Sequence, residues 1–321
     1  MRLKLLYTIP LALSMYLPMH AQHNFFRQTL NSGIVLNPAK AGIGNYAVRA
    51  NLFTNPYLSQ ENQVEPNFYA SADAKLVRLA KNLELNGGLV FNIQDPLPKA
   101  NQMQASSTGL TIALAKYFGK RYKQYISIGA AGAYKHMNIS YGWQSMYTDQ
   151  YFDMDLGLLY GIAPSSQTSI SAGIAFQNQR RTSDPYSNSA YGVYLPVNVL
   201  NAQLIVEHQF NDRILVQSSL LYYTSPYQYH FGNVALIEYG SVFDISLGKL
   251  HKENPHANTV VQVGMYLRNA SPLTPYVGFR KKSHQLGFSY EVNLHRFLYN
   301  MRPLPLTNME FSYRYLLLRK K

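Results

Sequence analysis

Nine histidines, at positions 20, 23, 136, 208, 230, 251, 256, 284 and 295, are the groups best suited to ligate a metal or move a proton. No two form an H-x-x-x-H pair that one helix face would bring together, and there is no cysteine to join them. His251 and His256 flank Glu253 across a turn, which a solvated hairpin explains better than a metal site needing several convergent ligands. Asp153 and Asp155 share a face in an extended chain, as a carboxylate pair for acid–base work would. Solvation, or pairing with arginine on a polar inner face, is the simpler expectation for them. Serines are too widespread to single out a nucleophile, and neither a nucleophile elbow nor a glycine-rich phosphate loop occurs. Gly87-Gly88, Gly129 and Gly132 fall inside strand-like patterns, where glycine relieves crowding or bends a wall. Tyr222-Tyr223, Tyr227, Tyr229, Tyr313 and Tyr315 could stack on sugars or peptide, but belong by default to an interfacial girdle. These patterns assign no catalytic, cofactor-binding or metal-binding residue, so the chain reads as a non-enzyme without cofactors.

The elements that would position these residues alternate with period two. Ile170, Ala172, Ile174 and Phe176 oppose Ser169, Ser171, Gly173, Ala175 and Gln177. Phe152, Met154, Leu156, Leu158 and Tyr160 oppose Asp153, Asp155, Gly157, Leu159 and Gly161. Leu286, Phe288, Tyr290, Val292 and Leu294 oppose Gln285, Gly287, Ser289, Glu291 and Asn293. Met309, Phe311, Tyr313, Tyr315 and Leu317 oppose Glu310, Ser312, Arg314, Leu316 and Leu318. Alternation of this length matches the roughly 9–11 residues a tilted strand needs to cross a bilayer, against about 5–6 for a soluble strand. Turn signals separate the runs: Asn55-Pro56, Asp95-Pro96, Ser183-Asp184-Pro185, Asn211-Asp212, Asn254-Pro255 and Ser271-Pro272. The uncharged stretches Leu156–Gln179 and Pro185–Val206 are interrupted by polar residues and proline, so neither spans as a helix. The expected fold is an all-β transmembrane antiparallel β-barrel of about fourteen strands (roughly 12–16), even numbers being the rule for single-chain bacterial barrels. The run Tyr227–Tyr239 is weakly patterned and reads as part loop.

Composition agrees. Charged residues are 14% and aromatics 13%, with 27 tyrosines against one tryptophan. Soluble domains average about 25% charged. Mean hydropathy is nevertheless −0.19, too polar for a helical membrane protein. An apolar exterior around a polar lumen satisfies both numbers. Closure also removes the strand edges that would otherwise aggregate.

The first residues read as a secretory signal: Arg2 and Lys4, an apolar stretch Leu5–Leu17, and a cleavage site at Met19-His20-Ala21. Residues 1–21 are thus the expected signal peptide, 22–44 an N-terminal periplasmic or lumen-packed segment, and 45–321 the barrel. Net charge is +13, or +11 once Arg2 and Lys4 are removed. The clusters Lys120-Arg121, Arg180-Arg181, Arg280-Lys281-Lys282 and Arg319-Lys320-Lys321 fall at strand ends. Export argues against nucleic acid and for anionic lipid head groups or an acidic partner.

Gln22-His23-Asn24-Phe25-Phe26-Arg27-Gln28, followed by Leu36-Asn37-Pro38-Ala39-Lys40-Ala41-Gly42, resembles the mature N-terminus of the PorP/SprF family. Asn37, Pro38, Ala39, Ala41 and Gly42 match its Asn-Pro-Ala-Tyr-Ala-Gly pattern, and Lys40 stands where the tyrosine is usual. Pro275–Phe279, Leu286–Val292 and Met309–Tyr315 are similar to its closing strands, although Pro303-Leu304-Pro305-Leu306 replaces the usual lead-in. The resemblance implies an outer-membrane protein of the type IX secretion and gliding machinery. Such a protein supports secretion or surface attachment of a partner, often a large adhesin with a C-terminal sorting domain, beside other components of that system. The alternative is a passive channel or uptake barrel for small hydrophobic solutes.

Overall fold

The computed structural model describes residues 33–58, 64–94, 101–119, 123–141, 144–178, 198–225, 234–248, 259–268, 272–293 and 309–318. The candidate signal, the Asp95-Pro96, Ser183-Asp184-Pro185 and Asn254-Pro255 turns, and His20, His23, His230, His251, His256 and His295 lie outside them. So do Tyr227, Tyr229, and the clusters Lys120-Arg121, Arg180-Arg181 and Arg319-Lys320-Lys321.

Fourteen antiparallel strands form one closed sheet. They are β1 (Tyr46–Leu58), β2 (Val64–Ala80), β3 (Leu83–Gln94), β4 (Asn101–Phe118), β5 (Gln124–Tyr141), β6 (Gln144–Ile162) and β7 (Thr168–Asn178). There follow β8 (Asn198–Gln209), β9 (Ile214–Ser225), β10 (Val234–Ser246), β11 (Thr259–Arg268) and β12 (Pro272–Lys281). The last two are β13 (His284–Tyr290, resumed at Val292–Asn293) and β14 (Met309–Leu318). Each strand pairs with its sequence neighbour, and β14 closes on β1 with Ala50 opposite Tyr315 and Leu52 opposite Tyr313.

Period two decides which face looks where. In β4, Leu110 and Ile112 are 64% and 59% exposed, whereas Thr111 and Ala113 are 3% and 1% exposed. Phe152, Met154, Leu156, Leu158 and Tyr160 of β6 point outward, and Asp153 and Leu159 inward. Every strand from β2 to β14 contributes large exposed apolar side chains to this belt. Soluble monomers rarely expose contiguous apolar patches beyond a few hundred Å², so the belt is the lipid-facing surface of a membrane barrel.

Two expectations need correction. Asn55-Pro56 is no turn: it runs within β1, Pro56 opposite Pro66 of β2. The described ladder between β1 and β14 ends at Thr54, so the missing proline N–H removes no described bond on that side. The strands are also longer than crossing requires, β4, β5 and β6 running 18, 18 and 19 residues. Among the described residues Gln144 to Asp153 of β6 pair with β5, and β4 accompanies β5 along its whole length, Asn101 lying opposite Tyr141. Val234–Tyr239, in the weakly patterned run, belongs to β10.

At one end of the barrel the described connections are tight. Asn211 Oδ1 accepts from Arg213 N (2.8 Å) and Ile214 N (2.9 Å), closing β8 onto β9. Ser165 Oγ does the same for Thr168 N (3.0 Å) between β6 and β7. Lys282, at φ +54°, turns β12 into β13 with Lys281 opposite His284. Arg78, Lys81, Lys116, Lys123, Arg213, Lys281 and Lys282 are exposed at this end, with Asp212.

Candidate functional site: a plug in the lumen

Between Gly33 and Gly44 the chain turns into the barrel before joining β1. Gly33–Leu36 makes one helical turn, α1, and Pro38–Lys40 makes a 3₁₀ turn. Asn37, extended at φ −154°, caps the second: its Oδ1 accepts from Ala39 N at 2.9 Å. Proline follows at the first helical position, where its missing N–H costs nothing. Lys40 N bonds Asn37 O (3.0 Å) and Ala41 N bonds Pro38 O (3.2 Å). Gly42 then adopts φ +68°, a conformation that favours glycine. The motif Asn37, Pro38, Ala39, Ala41 and Gly42 is therefore a compact, locally specified knot, with Asn37 1% exposed and Ala39 and Ala41 at 0%.

The wall is shaped to receive it. The Asn37 amide donates to Leu158 O (3.1 Å) and Ile174 O (3.2 Å), which are register partners on β6 and β7. A carbonyl has two lone pairs, so each can accept this bond besides its ladder bond. Close approach is possible because the neighbouring inward positions are Gly157 and Gly173; a Cβ at either would collide with Asn37. On β5, a Cβ at Gly129 would come within 2.5 Å of the Pro38 carbonyl carbon and Ala39 N. The expected role of Gly129, relieving crowding, thus has a definite object. Gly132, also expected to do so, instead clears the Phe152 ring outside the lumen. Ile34 and Ala41 pack on Ala113 and Val90, and Gly88 leaves room for the Ile34 side chain.

Polar ties close the remaining backbone groups. Gln177 Nε2 donates to Val35 O (3.1 Å) and Asn201 Nδ2 to Leu36 O (3.3 Å). Asp73 of β2 gathers three donors: Gly42 N (2.8 Å), Tyr46 OH (2.9 Å) and the Arg49 guanidinium, Nε at 2.8 Å from Oδ1. Arg49 Nη2 also reaches Lys40 O (3.3 Å). Asp73 and Arg49 drew no notice in the sequence; the legible signal was only that Asp73 shares the inward face of β2 with Ser71 and Tyr69.

The other candidate residues do not come together. Asp153 pairs with Lys135, a lysine where arginine was expected, and Asp155 accepts from Gln177 Nε2 (3.5 Å). His136 lies by Gln150, His208 by Thr168 Oγ1 (2.9 Å) and His284 by Tyr313 OH (2.7 Å), on three separate strands. Among the described residues no three of His, Cys, Asp and Glu are grouped to hold a metal. Tyr222 faces outward, as a girdle residue should, but Tyr223 is 5% exposed and points into the lumen. Alternation forces that split, since consecutive strand residues cannot share a face.

Opposite the plug the lumen is filled by side chains of the wall itself. Arg268 Nη2 is 2.7 Å from Glu238, Arg280 Nη1 is 3.1 Å from Asp244, and Gln262 Nε2 donates to Asp244 at 2.7 Å. Tyr276 donates to Gln262 Oε1 (3.0 Å) and meets Tyr266 edge-on, their centroids 6.2 Å apart.

No family model matches this chain, and no curated protein matches its sequence. Solved structures do. The crystal structure of the P. putida toluene transporter TodX matches with TM-score 0.51 and 10% identity over 90% of this chain and 95% of its own. A TodX deltaS2S3 mutant monoaromatic hydrocarbon channel matches with TM-score 0.52 and 9% identity over 90% and 94%. At such identities the likeness is one of fold: this chain has the architecture of outer-membrane barrels.

Proposed function

We propose that the protein is a non-enzymatic outer-membrane barrel of the type IX secretion and gliding machinery, exported by residues 1–21, whose plugged lumen serves as a scaffold. In this reading it supports secretion or surface attachment of a partner, a large adhesin engaged through its C-terminal sorting domain, together with other components of that system. One observation carries the reading. The residues on which the PorP/SprF resemblance rests hold the plug in place: Asn37, Pro38 and Ala39 sit against Gly129, Gly157 and Gly173, Ala41 packs on Ala113, and Gly42 N bonds Asp73. The basic tight-turn end, where the chain passes from plug to wall, adds a surface suited to an acidic partner.

A second reading, a channel for small hydrophobic solutes, is favoured by the likeness to the toluene transporter along most of the chain. A deletion strain separates the two. Loss of a large surface protein, with that protein copurifying with the tagged barrel, supports the scaffold. An unchanged surface proteome, together with conductance of the purified barrel in a planar bilayer, supports the channel and overturns the scaffold.

A further inference from the structure

Buried charge in this lumen follows a rule with two exceptions. Arg49, Lys75, Lys135, Arg268 and Arg280 each stand within ion-pair distance of a carboxylate: Asp73, Glu84, Asp153, Glu238 and Asp244 respectively. Lys40, 9% exposed in the plug, and Arg314, half-buried on β14, have no carboxylate partner among the described residues. They are neighbours through Arg49. Its guanidinium holds the Lys40 carbonyl, and Arg314 lies across the β1–β14 ladder opposite Asn51, diagonal to Arg49. The carboxylate beside Arg49, Asp73, is already engaged by Arg49, Tyr46 and Gly42. Residues 1–32, which lead into the plug, contain no aspartate or glutamate that could supply another.

A cation largely withdrawn from water without a counter-charge is unfavourable, and is retained where something else neutralises it. Asn51 Oδ1 accepts from Arg314 Nε at 2.9 Å, fixing the plane of the guanidinium while its two Nη groups carry no hydrogen bond among the described residues. A fixed guanidinium edge of this kind fits two oxygens of one planar or tetrahedral anion.

We propose that Lys40 and Arg314, bridged by Arg49, form an oxyanion site inside the lumen, at the junction of plug, β1 and β14, for a carboxylate or phosphate group. The site is independent of the scaffold role. Lys40 makes it sensitive to pH: burial, then the like charges of Arg49 and Arg314, push its ammonium down to about 7, while Glu207 opposes weakly. Glu207, on β8, is itself held by Ser169 Oγ (3.0 Å) and Gln217 Nε2 (2.7 Å). Tyr46 on β1 and Asp73 and Tyr69 on β2 face Arg49, and Tyr266 on β11 and Tyr276 on β12 face Arg314. An anion favours the protonated lysine, so it binds more tightly below about pH 7 and more weakly above, as the proton is lost.

The test is calorimetric titration of the whole barrel, in an uncharged detergent, with inorganic phosphate and separately with acetate, below and above neutrality. Saturable binding of at least one is expected, tighter at the lower pH; which one binds identifies the group. Arg314→Gln weakens it about tenfold, the scale of one charge-assisted bidentate contact. Lys40→Met weakens it and removes the pH dependence. Unheated electrophoretic mobility verifies that each variant is folded. Absence of saturable binding to the folded wild type, or equal affinity in folded Arg314→Gln, overturns the site.

Discussion

The two halves of the barrel wall obey the same alternation and fill the lumen by opposite means. On β5, β6 and β7 the inward positions beside the plug are small, Gly129, Gly157, Gly173 and Ala175, and the volume they leave is occupied by Asn37-Pro38-Ala39. On β10 to β13 inward glycines occur too, Gly240, Gly278 and Gly287, but the side chains that cover them belong to the wall: Tyr266 lies over Gly240, and Tyr276 over Gly278 and Gly287. Protein interiors are close-packed, so an inward glycine must be met either by a neighbouring side chain or by chain from elsewhere. Tyr266 and Tyr276 meet that need on β10 to β13, packed with Val242. The β5–β7 half therefore depends on the plug for its packing, whereas the β10–β14 half fills its own gaps.

That contrast is broken most strongly at Gly129. A valine there sets atoms against the Pro38 carbonyl and Ala39 nitrogen, where backbone cannot yield cheaply. Overpacking of this kind costs about 1–3 kcal/mol or more, and the easiest relief is expulsion of the plug. Gly129→Val should raise planar-bilayer conductance well above wild type and expose residues 33–44 to protease. The matching substitution in the other half, Gly278→Val, sets its Cβ first against the hydroxyl end of Tyr276 at 2.5 Å and the end of Gln262 at 2.7 Å, side chains of the wall rather than of the plug. It should leave conductance at the wild-type level; equal conductance in the two variants would dissolve the distinction between the halves.

Charge removal sharpens the same comparison. Asp73→Asn strands Arg49 and weakens the tie to Gly42, and breaking one side of a buried pair costs about 3–5 kcal/mol. Its loss should appear both as a lower unfolding temperature on heat-modified gels and as greater conductance. Glu238→Gln breaks the pair with Arg268 at a similar cost, but that pair joins β10 and β11, away from the plug's seat on β5 to β7. It should lower the unfolding temperature alone. Replacing both partners, Glu238→Leu with Arg268→Met, should recover most of the loss.

The unequal legibility of these halves has a physical cause. Period two is written into each strand separately, so the barrel, its outward faces and the inward placement of Asp153, Gly157 and Gln285 could be read without knowing any contact. The plug was legible only as a segment ahead of the first strand with a recognisable Asn-Pro-Ala-x-Ala-Gly. Its seat joins positions more than a hundred residues apart, as Asn37 with Leu158 and Ile174, and no local pattern encodes such a meeting. The same holds for Arg314 with Asn51, 263 residues apart, whereas Arg49 and Asp73 stand opposite one another in the β1–β2 hairpin and needed only its register. Asn55-Pro56 misled because proline is a turn signal only where the strand needs its N–H.

The smallest effect expected is at Asn37, and it separates two roles of one side chain. Asn37→Ala removes the cap on Ala39 N and the bridge to the Leu158 and Ile174 carbonyls. The carbonyls keep their ladder bonds, so no acceptor is stranded, and the loss should be close to that of a helix cap, about 1–2 kcal/mol. Protease sensitivity of residues 33–44 would then rise by roughly tenfold for each 1.4 kcal/mol. Asn37→Asp keeps the capping oxygen but turns an acceptor toward both carbonyls, inside a lumen where repulsion is poorly screened. It should therefore open the plug more than alanine does, although alanine deletes more atoms. If aspartate instead protects residues 33–44 as well as asparagine, the amide bridge to β6 and β7 contributes nothing, and the plug is held by its cap, by the fit against Gly129 and by the ties from Asp73, Gln177 and Asn201.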